Sequence, residues 1–249
     1  IPVYEPSTTV SFNPNQKVCL GETLNITATD FTEQGHFLTY KWTYGSQEST
    51  EQNPIFTIDQ IGENNLKLII QEDSTECGNE INFQITGIQQ PIAEISTDGN
   101  EFCVSDLIVE FGNESFLDGP GAYFWNYGNG TPINSTSSAT TSSSTFEAGM
   151  YDITLTASSI YGCSDSDTVS INVIEPSGQL TVSDDDNKIC INDEITFTLI
   201  NPIDVDSYDI DFGEGNVVEN TSPATNAFGY YPPNGVYDVV LSLYLNQCK

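Results

Sequence analysis

Basic residues are nearly absent from this chain of 249 residues. Five Lys and Arg stand against 36 Asp and Glu, which gives a formal net charge of −31. Nucleic-acid binding is not expected on this ground, because contact with phosphates requires clustered Lys and Arg. Docking to an anionic membrane surface is not expected for the same reason. No apolar run approaches the ~20 residues of a membrane-spanning helix, so we also expect no membrane insertion.

Residues and motifs typical of metal sites and of hydrolase active sites are also scarce. The chain has one His, and its six Cys include no Cys-x-x-Cys pair, so a zinc site is not expected. Neither Gly-x-Ser-x-Gly nor His-Glu-x-x-His occurs, which removes two frequent hydrolase signatures. With 36 acidic residues, no single pair indicates a catalytic site. We therefore expect a protein that is not an enzyme and has no resident cofactor, with Ca²⁺ as the one exception considered below.

The composition that remains is that of a folded β protein. Hydrophobic residues make up 37% of the chain and aromatic residues 11%, which is enough to build cores despite the acidity. Ser, Thr, Asn, Ile and Val are abundant, and this favours strands. An even number of Cys in such a chain indicates disulfides and an oxidising compartment. We therefore expect an extracellular protein.

One pattern occurs three times along the chain. Each copy opens with a Cys between two apolar residues, followed by a turn and an alternating strand. A second Cys closes each copy. The first cysteines are Cys19, Cys103 and Cys190, and the closing ones are Cys77, Cys163 and Cys248.

This repeat predicts three domains, at residues 1–90, 91–175 and 176–249. Each boundary lies at a Pro, Pro91 or Pro176, where a strand must stop. The Ser/Thr-rich run 135–144 is expected to be a long loop within the second domain. The third copy stops before the strand that ends the second, so we expect a truncated third domain and a piece of a longer protein.

Two further elements recur between the cysteines. They are Trp42-Thr43-Tyr44-Gly45, Trp125-Asn126-Tyr127-Gly128 and Ile210-Asp211-Phe212-Gly213, then Gly149-Met150-Tyr151-Asp152-Ile153-Thr154-Leu155 and Gly235-Val236-Tyr237-Asp238-Val239-Val240-Leu241. These elements resemble the PKD domain, an immunoglobulin-like β-sandwich. Together with the Cys placement, they resemble the tandem PKD repeats of Bacteroidota cell-surface adhesins.

The resemblance implies an all-β chain of three tandem immunoglobulin-like (PKD-type) sandwiches in an elongated rod. It implies a structural and adhesive segment, a stalk or filament in surface adhesion or gliding motility, exported by type IX secretion to the surface of a Gram-negative bacterium. Its partners would be other domains of the same long chain, surface glycans or other cell-surface proteins. Accessory modules of a secreted polysaccharide- or protein-degrading enzyme, or direct glycan-binding modules, are the alternatives.

Several residues have both a functional and a structural interpretation. Trp42 and Trp125 could stack on sugars, but their alternating strand positions favour the core. Tyr151 and Tyr237 are expected to be the corner Tyr that ties a loop in immunoglobulin-like sandwiches. The cluster Asp184, Asp185 and Asp186 has the oxygen ligands that Ca²⁺ prefers, although a solvated turn is the favoured interpretation.

The predicted sandwich bears on how the six cysteines pair. The pairs Cys19–Cys77, Cys103–Cys163 and Cys190–Cys248 would close each domain, but the two cysteines of one domain are expected at opposite poles. A disulfide requires Cα atoms within about 7 Å. Pairing across neighbouring domains, as Cys19–Cys163 and Cys103–Cys248, is therefore favoured over pairing within them. Cys77 and Cys190 would then bond to domains outside this sequence.

Overall fold

The computed structural model describes residues 7–11, 17–31, 37–73, 76–104, 108–136, 141–184, 188–213, 216–231, 234–246 and 248. Every regular element in these ranges is a β-strand. Within them, no helix has the length and apolar character needed to cross a membrane. The all-β prediction is therefore confirmed.

Nine strands form the first unit: β1 (Ser7–Ser11), β2 (Lys17–Cys19), β3 (Thr23–Asn25), β4 (Thr27–Phe31), β5 (Leu38–Tyr44), β6 (Gln47–Ser49), β7 (Ile55–Thr57), β8 (Gly62–Glu72) and β9 (Gly78–Ile88). Its hydrophobic core lies between a five-stranded sheet, in the order β2-β9-β8-β5-β6, and the two pairs β1-β4 and β3-β7. The inward side chains of β8 alternate along the strand, and Leu66, Leu68 and Ile70 are fully buried.

Eight strands form the second unit: β10 (Ile95–Ser96), β11 (Glu101–Cys103), β12 (Val109–Asn113), β13 (Gly121–Asn126), β14 (Asn134–Thr136), β15 (Ser142–Ser144), β16 (Gly149–Ser159) and β17 (Ser164–Ile174). Its core repeats the arrangement of the first, with a five-stranded sheet, β11-β17-β16-β13-β14, facing the three-stranded sheet β10-β12-β15. The Ser/Thr-rich run 135–144 is therefore not a simple loop, because it contributes to β14 and β15. Ser142 is buried and hydrogen-bonded to Tyr127.

Six strands form the third unit: β18 (Ser177–Val182), β19 (Glu194–Ile203), β20 (Ser207–Asp211), β21 (Val217–Thr221), β22 (Ala227–Tyr230) and β23 (Val240–Tyr244). Its core is smaller, and the sheet β18-β19-β22 faces the sheet β21-β20-β23. In the described part of this unit, no strand takes the place that β9 and β17 have in the other two.

The strand order identifies each unit as an immunoglobulin-like sandwich. In the second unit, the hairpin β16-β17 and the strands β13 and β14 form one sheet, while β10, β12 and β15 form the other. The short strands β2 and β11 add to the larger sheets by pairing parallel to β9 and β17. The predicted domain boundaries lie in the connections between β9 and β10 and between β17 and β18.

The turn after the Trp-x-Tyr element needs glycine. Gly45, Gly128 and Gly213 all have positive φ, at 56°, 68° and 92°, a region that side chains disfavour. At Gly128, a Cβ atom would also lie 2.9 Å from the Asp152 carbonyl oxygen. The same turn therefore follows the same core strand in all three units.

Candidate functional site at the disulfide-linked junctions

The first cysteine of each of the first two copies ends a short strand that runs parallel to the last strand of its own unit. Cys19 ends β2 and lies opposite Ile88, the last residue of β9. Cys103 ends β11 and lies opposite Ile174, the last residue of β17. Each of these cysteines is therefore placed at the C-terminal end of the last strand.

The second cysteine of the same copies lies at the other end of that strand. Cys163 is in the turn before β17, where the Ser159 N–H donates to its carbonyl at 2.8 Å. Cys77 has the same place before β9, with a bond of 2.9 Å from the Glu72 N–H. Because β9 and β17 have 11 residues each, the two cysteines of one copy are about 36 Å apart at ~3.3 Å per residue. Pairing within these copies is excluded by this distance.

The structure instead contains two disulfides between successive units. Cys19 is bonded to Cys163 with a Cα–Cα distance of 5.6 Å, and Cys103 is bonded to Cys248 with a distance of 5.1 Å. Both distances are normal for a disulfide. In each bond, the first cysteine of one copy reaches the second cysteine of the next copy, which is the pairing favoured from the sequence.

Local contacts hold the turn that presents Cys163 to the first unit. The buried Ser159 hydroxyl accepts from the Cys163 N–H at 3.2 Å and from the Tyr161 N–H at 3.3 Å. From the other side of the junction, Lys17 Nζ lies 3.9 Å from the centroid of the Tyr161 ring. This is a cation–π contact, and it adds to the covalent link. Neither Lys17 nor Tyr161 is predicted from the sequence as a junction residue, although each lies two positions before a bonded Cys.

The remaining two cysteines take part in neither of these bonds. Cys77 has the position of Cys163 and Cys248 in the first copy and is half-buried. Cys190 has the position of Cys19 and Cys103 in the third copy and is exposed. Their bonding to further domains stays a prediction.

The predicted calcium cluster lies mostly outside the described residues, which include Asp184 but not Asp185 or Asp186. Among the residues that are described, no group of three or more His, Cys, Asp or Glu is arranged to hold a metal ion. Calcium binding at Asp184, Asp185 and Asp186 therefore stays a prediction.

Both tryptophans are core residues. Trp42 and Trp125 are 0% exposed, and the Trp42 indole N–H donates to the Glu51 carbonyl at 3.0 Å. The Trp125 ring stacks on Tyr127 with a centroid distance of 6.2 Å. Neither indole can stack on a sugar from solvent. The two residues that suggested direct glycan binding are therefore not accessible to a glycan.

The corner Tyr has the expected contact in the second unit. The Tyr151 hydroxyl donates to the Glu147 carbonyl, four residues earlier, at 3.2 Å. The first unit has Asn64 at this position of the sheet, and its amide donates to the Gln60 carbonyl, also four residues earlier, at 3.1 Å. In the first unit, where the sequence pattern has no Tyr, the shorter Asn64 side chain therefore makes the equivalent hydrogen bond.

The surface charge is only slightly neutralised in the described structure. Lys41 pairs with Glu48 at 3.3 Å and Lys67 pairs with Glu80 at 2.7 Å, both at exposed positions. The hydrogen bond from Lys67 lowers the pKa of Glu80. Exposed pairs of this kind contribute little to stability, so the excess negative charge is the dominant electrostatic feature.

No family model and no curated protein matches the chain. Among solved structures, it is similar to the fibronectin(III)-like modules of Clostridium thermocellum CbhA, at 16% identity over 67% of this chain and 94% of that one, with a TM-score of 0.37. It is similar to three N-terminal domains of the bacteriophage RB49 outer capsid protein Hoc, at 16% identity over 98% and 92%, with a TM-score of 0.36. The ICAM-5 D1–D4 ectodomain fragment has 12% identity over 96% and 75%, with a TM-score of 0.41.

Proposed function

We propose that this chain is a structural segment of an extracellular adhesive protein, in which β-sandwich modules are linked end to end by disulfides into a stiff stalk. The observation that carries the proposal is that each disulfide joins two successive units and neither closes a single unit. A bond inside one unit would stabilise that unit alone. A bond between units restrains how one moves against the next.

The first junction shows how this restraint works. The backbone passes from β9 to β10, and the Cys19–Cys163 bond is a second covalent link between the same two units. Neighbouring domains move by default when only a linker and a small interface connect them. Two separate covalent links remove free rotation about either one, and the contact of Lys17 with Tyr161 adds to them.

Disulfides persist in oxidising environments, which supports an extracellular location. The resemblance to tandem PKD repeats supports the finer proposal: a cell-surface adhesin of a Gram-negative bacterium of the Bacteroidota kind, exported by type IX secretion and acting in adhesion or gliding. In this role, the chain carries no catalysis. Its partners are further modules of the same chain, surface glycans or other surface proteins.

The pattern of bonds also limits how far the chain can be stretched. Between Cys19 and Cys248, the backbone has 229 residues, but the shortest covalent path crosses both disulfides and only the 60 residues from Cys103 to Cys163. At ~3.5 Å per extended residue, these paths correspond to about 800 Å and about 210 Å. A stalk built in this way cannot be drawn out to its full length by force.

Single-molecule pulling from the two termini tests the proposal. We expect the oxidised chain to reach its limit at about a third of the length of the reduced chain, because the residues before Cys19 and after Cys248 add equally to both of the paths above. The variant Cys103→Ser/Cys248→Ser is a control with one bond, and its limit lies between the two. Small-angle scattering of the oxidised and reduced chains measures bending at rest. Equal extension, or equal flexibility in solution, would show that these bonds do not make a stalk.

A further inference from the structure

Two Asn-Gly pairs occur in the chain, at Asn129-Gly130 and Asn234-Gly235. In such a pair, the backbone nitrogen of the Gly can attack the side-chain carbonyl carbon of the Asn. Gly favours this reaction because it has no Cβ atom to obstruct the approach and its backbone is permissive. The two pairs have the same chemistry, so the structure around each Asn decides whether it reacts.

The Asn129 side chain is held in the second unit by four hydrogen bonds. Its amide nitrogen donates to the Ser144 hydroxyl at 2.9 Å and to the Thr145 carbonyl at 2.8 Å. Its oxygen accepts from the Thr131 N–H at 3.1 Å and from the Thr131 hydroxyl at 2.7 Å. Rotation of this side chain towards the Gly130 nitrogen breaks these bonds, so the structure protects Asn129.

The Asn234 side chain has no such support in the third unit. Asn234 and Gly235 lie in an exposed bend between β22 and β23. Within the ranges that the structure describes, the Asn234 side chain makes no hydrogen bond. Its carbonyl carbon can therefore rotate to the Gly235 nitrogen without breaking a hydrogen bond.

We propose that Asn234 is a site of spontaneous deamidation in the folded protein, whereas Asn129 is protected. The Gly235 nitrogen loses its proton and bonds to the side-chain carbonyl carbon of Asn234, and the side-chain amide leaves as ammonia. Water then opens the succinimide ring. Attack of water at the side-chain carbonyl carbon yields aspartate, and attack at the main-chain carbonyl carbon yields isoaspartate. This inference does not depend on the proposed stalk function.

The reaction places a charge in a part of the chain that has none. Residues 220–237 contain no Asp, Glu, Lys or Arg, although the whole chain has 36 acidic residues. Asn234 also lies in the wall of a cleft of about 710 Å³, together with Val236 and Tyr237. Deamidation therefore adds a carboxylate to this wall, and the isoaspartate product also lengthens the backbone there by one methylene group.

Peptide mapping by mass spectrometry tests the proposal on the full oxidised chain, incubated at mildly alkaline pH. We expect Asn234 to deamidate about tenfold faster than Asn129, or more, because several hydrogen bonds must break at Asn129. A parallel incubation in urea, with the disulfides reduced, removes the structural difference between the two sites. We expect the two rates to become similar there.

Two variants separate the effect of structure from that of sequence. The variant Thr131→Ala/Ser144→Ala removes two of the bonds that hold Asn129 and should speed its deamidation by about tenfold. In Gly235→Ala, the added Cβ atom lies 3.5 Å from the Tyr237 ring, an ordinary contact, so the variant should fold and deamidate more slowly at Asn234.

The comparison of the two sites decides the outcome. Equal rates in the folded chain, or a faster reaction at Asn129, would overturn the proposal. An unreactive Asn234 in the folded chain would do so as well, when both sites react in urea over the same time. An unchanged Asn129 rate in Thr131→Ala/Ser144→Ala would show that these hydrogen bonds do not protect it.

Discussion

The second and third units contain nearly the same sequence in one strand but not the same structure. Gly149–Leu155 and Gly235–Leu241 share Gly, Tyr, Asp and Leu in register, yet β16 begins at Gly149 and β23 only at Val240. The difference is the neighbouring strand, since β17 pairs with β16 from Gly149 to Ser158. An alternating pattern therefore specifies which face is apolar, but the strand itself forms only where a partner completes its hydrogen bonds.

The side chains of this strand also differ in burial between the second and third units. Ile153, Leu155 and Ala157 on β16 are fully buried, whereas Val239, Leu241 and Leu243 in the third unit are only partly buried. The third unit keeps its centre through Tyr208, Ile210 and Phe212, which are at most 1% exposed. The second unit is therefore more fully packed than the third, and the two allow matched experiments within one chain.

The largest expected effect comes from the matched core residues Trp125 and Ile210. They lie opposite Leu155 and Leu241, which are equivalent positions. We expect Trp125→Ala to lower the free energy of unfolding of the second unit by about 3–5 kcal/mol and Ile210→Ala to lower that of the third by about 2 kcal/mol, since both side chains are fully buried and the Trp leaves the larger cavity. Urea denaturation followed by hydrogen exchange in each unit measures both. A larger loss from Ile210→Ala would contradict this comparison.

The next effect concerns the bond that joins the two units. Removing it with Cys103→Ala/Cys248→Ala should destabilise the third unit by about 2–4 kcal/mol, because the bond restricts the unfolded chain. The matched control is Cys19→Ala/Cys163→Ala, which removes the other bond and should leave the third unit unchanged. Thermal unfolding resolved by unit provides the measurement. Equal losses in the third unit from both pairs would show that the bonds do not act locally.

A smaller effect is expected at the corner position of the first two units. Tyr151→Phe removes the bond to the Glu147 carbonyl, and Asn64→Ala removes the matching bond to the Gln60 carbonyl. Each should destabilise its own unit by about 0.5–1.5 kcal/mol, the usual contribution of one hydrogen bond. Equilibrium denaturation measures the change. If Asn64→Ala has no effect while Tyr151→Phe does, the two ties are not equivalent.

The smallest effect is that of salt. Residues 91–175 contain 12 acidic and no basic residues, whereas residues 1–90 contain 12 acidic and three basic residues. Self-repulsion destabilises a compact state, and ~0.1 M salt screens it beyond ~10 Å. We therefore expect the melting temperature of the second unit to rise by a few degrees with NaCl, and that of the first to rise less. Calorimetry at two salt concentrations decides the order, and a melting temperature that falls with salt would contradict it.

The repeat made much of this fold predictable. The positions of Cys19, Cys103 and Cys190 gave the period, and the Trp-x-Tyr-Gly element marked a core strand that the structure has in each unit. The opposite positions of the two cysteines in one copy followed from strand direction, and this favoured bonds between copies. These inferences depend on strand order and direction, which an alternating pattern and its turns encode locally.

Other features depend on contacts between distant residues. Asn64 makes the tie of a corner Tyr because its position relative to the Gln60 carbonyl is set by the sheet, and no Tyr-based pattern includes it. Ser142 lies in a low-complexity run, yet β15 forms because β12 has a free edge for it. Lys17 meets Tyr161 only after two units are joined. Such contacts become visible only when the partner element is placed.

The two disulfides overlap along the chain, because the loop from Cys19 to Cys163 begins before, and ends within, the loop from Cys103 to Cys248. Every peptide bond between residues 19 and 248 therefore lies inside at least one closed covalent loop. If a protease cuts any one of them, the two fragments remain attached through sulfur, and both ends of the segment stay connected. In a protein exposed to extracellular proteases, a single cleavage therefore opens the backbone at one place but does not release either part of the segment.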